Sequence, residues 1–101
     1  MTDDKVIEAA NGCRDIIVAA CDTVPVAKRM DIGKYPFDVA TPELVGHLLY
    51  CCEQIVVLIR DGRREKAMRW LGFVQGALWA NNLATIEYLG GLNKPSGSVG
   101  T

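Results

Sequence analysis

Residues 41–80 read TPELVGHLLYCCEQIVVLIRDGRREKAMRWLGFVQGALWA, two helical stretches with a turn signal between them. Thr41 stands as an N-cap, Pro42 occupies the first helical position, and Glu43 follows where the helix dipole favours negative charge. A helix therefore opens here and continues to about Arg60. One half of it carries Leu44, Val45, Leu48, Cys51, Cys52, Ile55, Val56 and Ile59, while Gly46, His47, Tyr50, Glu53, Gln54 and Arg60 fall on the other half. Asp61-Gly62 breaks the helix. A second helix spans about Arg64 to Ala80, with Ala67, Leu71, Val74 and Leu78 forming an apolar stripe that Trp70, Phe73 and Ala77 widen. So short a connection makes the two antiparallel, which is a helical hairpin.

Working outward, Val6, Ala10, Cys13, Ile17 and Ala20 recur at helical steps and predict a helix from about Asp3 to Cys21, with Asp3, Asp4 and Glu8 suited to its N-terminal end. After the hairpin, Asn81 and Asn82 end the helix, Thr85 caps a short one through Leu89, and Gly90-Gly91 stop it. The expected architecture is all-α: three main helices including the hairpin, plus a short C-terminal helix. It forms one domain over residues 1–94 with a disordered tail, PSGSVGT, at 95–101. The nineteen residues DTVPVAKRMDIGKYPFDVA at 22–40 are long for a structureless connection, so a short helix near Val26–Met30 or a binding segment is expected. Lys28, Arg29, Lys34 and Tyr35 make it a cationic region, and Met30, Tyr35 and Phe37 offer side chains to pack it down.

Half of the 101 residues are hydrophobic, 23% are charged, and the net charge is −1, the composition of a globular chain and not of a disordered one. Near-neutral charge removes any global pull on nucleic acid, so only a local basic patch is left to bind it. The acidic start MTDDK lacks the pattern of a secretory signal, and His47, Glu53 and Gln54 interrupt the most apolar stretch, so a cytoplasmic protein without a membrane span is expected.

Cys13, Cys21, Cys51 and Cys52 are spaced as small core residues rather than as a disulfide framework. His47 and Cys51, four apart on one helix, are the one pairing that suggests a metal, though no Cys-x-x-Cys accompanies them. The lone histidine has no nucleophile arranged with it, no glycine-rich phosphate loop occurs, and no carboxylate pair marks a cleft. No catalytic residue, metal or cofactor is assigned.

Two features point to binding. Met68, Gly72, Gly76 and Ala80, flanked by Gln75 and Trp79, run along the side of the second hairpin helix opposite its apolar stripe. Glycine costs about 1 kcal/mol against alanine inside a helix, so the pair costs roughly 2 kcal/mol. Small residues at this spacing let another backbone come close, either the first helix of the same chain or a second copy. The expected use is a homo-oligomer, a two-fold dimer above all, with Met68 and Trp79 as anchors. Trp79 could instead lie in the core or stack on a purine. The second feature is RDGRREKAMR at 60–69, where Arg60, Arg63, Arg64, Lys66 and Arg69 face only Asp61 and Glu65. With Lys28 and Arg29 it is the candidate surface for a phosphate or an acidic protein; the bland alternative is a solvated turn laced with local ion pairs. A nucleic-acid-binding module is a lesser option, since no aromatics interleave the charges.

The run REKAMRWLGFVQGALWANNLATIEYLGGLNKP, Arg64–Pro95, resembles the C-terminal part of small proteins of tailed phages and prophages, through its RWLGF, QG and LWA elements, a Thr-Ile turn and an Asn-Lys-Pro end. The resemblance covers about a third of the chain. It implies a protein working in a bacterial cell by binding a host protein, as anti-defence proteins do. More faintly, the hairpin ending in Leu78-Trp79-Ala80 is similar to that of viral sponge proteins that sequester cyclic nucleotide signals between chains. That likeness implies an oligomeric sponge as the alternative function. The chain departs from the sponge pattern in its glycine-rich face and its Asn81-Asn82 end.

Overall fold

The computed structural model describes residues 1–21, 25–29 and 42–94. Among them are four helices, α1 (Asp3–Ala19), α2 (Pro42–Arg60), α3 (Arg64–Ala80) and α4 (Ile86–Asn93), and no strand. The protein is all-α. The Thr41 cap, Met30, Lys34, Tyr35, Phe37 and the tail from Pro95 lie outside the described residues.

Each helix end has a local cause. The Thr2 hydroxyl accepts the Lys5 backbone N–H at 3.2 Å and opens α1, with Asp3 and Asp4 in the first turn. An i,i+3 bond from the Cys21 N–H to the Val18 carbonyl at 3.3 Å tightens the end, so α1 stops at Ala19 and not at Cys21. At the end of α2, Gly62 takes the left-handed conformation (φ 78°), the Arg63 N–H donates to Leu58 O at 2.8 Å, and the Gly62 N–H donates to Ile59 O at 3.1 Å. This is a Schellman motif, and it reverses the chain within three residues. The end of α3 repeats it with Asn82 (φ 59°), where Leu83 bonds back to Leu78 O and Asn82 to Trp79 O.

The antiparallel hairpin is visible in its ring pairs: His47 of α2 meets Phe73 of α3 at 6.0 Å between centroids, and one turn later Tyr50 meets Trp70 at 6.5 Å. The core lies among α1, α2 and α3, with Ile17, Leu48, Ile55, Val74 and Leu78 fully buried. Because α2 is covered by both α1 and α3, Leu49 and Leu58 are buried along with Leu44, Leu48, Cys51, Cys52, Ile55 and Ile59 of its expected apolar half, while Val45 and Val56 are half-buried. By length and mean hydropathy (1.4) α2 would pass as a membrane-crossing helix, yet half of it is buried inside this packing.

Three expectations are corrected. Residues 25–29 form no helix. They cross α2 instead, with the Lys28 N–H donating to Gly46 O at 3.1 Å, and a Cβ at Gly46 would sit 2.5 Å from the Val26 carbonyl oxygen. This close backbone crossing explains a glycine inside α2, and both Gly46 and His47 are buried there rather than lying on an outer half. Finally, Gly90-Gly91 do not stop α4. It opens on Thr85, whose hydroxyl accepts the Tyr88 N–H at 3.1 Å, and runs to Asn93. Leu92 packs against α1 at Gly12, and the Gln75 and Asn93 amides exchange two hydrogen bonds of 2.8 and 2.9 Å. Tertiary contacts thus hold the last turn of α4 against the low helix propensity of its glycines.

Candidate interaction surface

At 100° per residue, the buried stripe of α3 (Ala67, Leu71, Val74, Leu78) faces the core, and Glu65, Arg69, Gly72, Gly76 and Ala80 lie on the opposite side, all exposed. Phe73 and Trp79 flank the two glycines and are 50% and 54% exposed. A Cβ built at Gly72 or Gly76 meets nothing within 4 Å. α1 therefore does not fill this groove: it packs elsewhere, and the glycines face open space among the described residues.

The same geometry corrects two aromatic assignments. Phe73 does not widen the buried stripe; it rests edge-on against His47 at the rim of the hairpin and leaves half its surface outside. Trp79 is not a core residue, and with Asn82, Leu83, Ala84, Thr85, Ile86 and Glu87 it lines an open depression between α3 and α4. Ile86 and Tyr88 of α4 are 64% and 54% exposed beside it. Met68 is half-buried and packs against the core, while Trp70 is half-buried beneath Lys66, whose ammonium lies 5.4 Å from the ring centroid.

The hairpin end carries the charge. Arg64 pairs with Asp3 at the start of α1, a contact between helices and not the local pairing expected of a solvated turn. Among the described residues Arg60, Arg63 and Arg69 are exposed and make no ion pair. Arg63 is the N-cap of α3 and supplies no side-chain cap, so the first N–H groups of the helix open on a shallow depression lined by Gly62, Arg63, Arg64, Glu65, Lys66 and Arg69. Lys28 and Arg29 do not join this cluster. They lie beside Gly46, and fourteen residues of α2, about 21 Å, separate them from Arg60.

The thiol and imidazole groups are arranged for packing. Cys13, Cys51 and Cys52 are buried and Cys21 partly so, all four free. The Cys51 Sγ lies 3.7 Å from His47 Nε2. Burial pushes the Cys51 thiol up to about 11 against a weaker opposing effect of Arg29, and burial, with Arg29 second, lowers His47. Both groups are held neutral, so the pair is no activated thiolate. Burial likewise raises Cys13 to about 11 and outweighs its hydrogen bond to Gln75. Among the described residues no group of three or more His, Cys, Asp or Glu side chains is placed to hold a metal.

The surface is thus one helix face, apolar at its C-terminal half and cationic at its N-terminal end. The Gln75–Asn93 pair, which docks α4 and so builds the wall beside Trp79, escaped the sequence reading; the one hint was a single polar residue between Trp70 and Ala80. Compared with known proteins, the chain matches no family model, no curated protein and no solved structure.

Proposed function

We propose that this is a non-catalytic binding protein of the phage type that its C-terminal third resembles. It acts as a homodimer joined through the α3 face and sets its basic hairpin ends on an acidic surface of a host bacterial protein, as an anti-defence protein would. The observation that carries this reading is the open groove at Gly72 and Gly76 between two half-exposed aromatics. Two helix-interior glycines at which an added Cβ would meet nothing among the described residues cost roughly 2 kcal/mol against alanine, with no close approach among those residues that requires them. Natural sequences break local rules of this kind at functional sites. Arg60 and Arg63, exposed at the hairpin turn and without ion pairs among the described residues, supply the charge for the second contact.

The test is retention from a bacterial extract on the immobilised chain, compared with an Arg60→Glu/Arg63→Glu variant. A protein held by the first, lost from the second and released by salt supports the reading. Indifference of every retained protein to the two arginines contradicts it.

The sponge reading is kept as the second because half of the Trp79 ring is open beside a depression with Asn82 and Thr85. Within one chain it is disfavoured, since Arg63 and Trp79 are sixteen residues or about 24 Å apart along α3 and Glu87 lines the depression. A rise in melting temperature with cyclic AMP or a cyclic dinucleotide, following RT ln(1 + [L]/Kd), would replace the first reading with this one.

A further inference from the structure

We infer that two copies of the chain pair antiparallel across α3, crossing at the midpoint of Gly72 and Gly76, so that Met68 of each copy meets Trp79 of the other. The inference rests on the self-association proposed above and adds its orientation. The glycines alone would not decide it. What decides it is the distribution of everything else on the face.

Met68 and Trp79 are eleven residues apart, which brings them within about 20° of each other around the helix, on the side toward α4. Measured from residue 74 they lie six residues before and five after. A two-fold axis normal to two antiparallel helices maps each onto the level of the other and keeps them on the same side. A flexible thioether therefore meets a half-exposed indole twice, once at each end of the crossing. A parallel pair sets each Met68 level with Met68 and each Trp79 level with Trp79, and neither side chain finds the other.

Charge separates the two orientations further. Arg60, Arg63 and Arg69 are exposed and make no ion pair among the described residues, and with Arg64 and Lys66 they outnumber Asp61 and Glu65 at the hairpin-turn end of α3, whereas Glu87 is exposed at the other end, in the depression beside Trp79. Parallel pairing would bring the two cationic ends together. Antiparallel pairing brings each cationic end toward the Glu87 end of the other copy and opposes the two α3 dipoles. Because the Cβ positions at Gly72 and Gly76 are open, the backbones can approach closely enough for Phe73 and Trp79 to straddle the opposite helix. The dimer then presents its Arg63 residues about 33 Å apart, eleven residues to either side of the crossing, and binds an acidic partner bivalently.

The experiment is a spin-label distance on the full chain, with the label at Glu65→Cys on a Cys21→Ser background, since the other three cysteines are buried. Glu65 is exposed and nine residues from the crossing, so the antiparallel pair sets the two labelled backbones about 27 Å apart, against about 10 Å in a parallel pair. A distance near 27 Å that disappears in Gly76→Leu supports the inference. A dimer with the short distance, or one that survives Gly76→Leu unchanged, overturns it while self-association stands. A chain that stays monomeric at high concentration overturns the self-association itself.

Discussion

Replacing Gly72 and Gly76 together by alanine separates what the monomer needs from what the surface does. Both positions lie inside α3, and an added Cβ at either meets nothing within 4 Å. With no clash to offset it, the gain is the helix propensity difference and the reduced freedom of the unfolded chain, about 1 kcal/mol at each site. The pair should therefore stabilise the monomer by roughly 2 kcal/mol, about thirtyfold in the folded-to-unfolded ratio. For a domain of this size that raises Tm by about 10 °C. Urea and thermal melts followed by helical circular dichroism, at concentrations below the onset of self-association, measure this directly. Self-association, read by sedimentation on the same variant, should move the opposite way, because two methyl groups would hold the facing backbones apart. A double variant less stable than the parent as a monomer would show the groove to be packed within the chain and not open.

At Gly46 the same substitution has the opposite sign: the new Cβ would lie 2.5 Å from the Val26 carbonyl oxygen, a backbone atom, and melts of Gly46→Ala should show a loss of about 1–3 kcal/mol. Asn82→Gly removes a side chain from a left-handed helix end (φ 59°) and should add about 0.5 kcal/mol in urea unfolding. Gln75→Leu strands the Asn93 amide and should cost about 1 kcal/mol, part of which Gln75→Leu/Asn93→Leu recovers in a double-mutant cycle. The pH profile is limited at both ends. His47 is lowered from 6.5 when folded, so the unfolded chain takes up the proton first, and stability present above pH 6.5 falls as the pH drops through that value. Cys13 and Cys51 are raised from 9.0 to about 11, so their contribution is full below pH 9 and is lost between pH 9 and 11. Denaturant titrations across pH should show both slopes, and His47→Gln should flatten the acid one.

The helices and their order were legible because each announces itself locally. The Pro42-Glu43 start, the Gly62 turn and the Thr85 cap are chemical signals confined to a few residues, and the structure uses all three. What was not legible depends on partners far along the chain. Nothing near Gly90-Gly91 tells that Leu92 will pack at Gly12 or that Asn93 will pair with Gln75, and those contacts carry α4 past its glycines. Gly46 reads as a helix flaw until the 25–29 segment is seen crossing it. The glycines of α3 were recognised as a groove, and their spacing gives no sign of whether α1 fills it; the open space around them answers that. By period alone Phe73 belongs to the core. Only the position of α2, which covers one edge of the ring through His47, explains why half of it stays outside.

Whether the outward face of α3 is a surface for another copy of the chain is read by sedimentation equilibrium of the parent and Gly76→Leu over a wide concentration range. The parent should pass from monomer to dimer, and the variant, equally helical, should stay monomeric. A parent that remains monomeric throughout, or a variant that dimerises as well as the parent, would contradict self-association through this face.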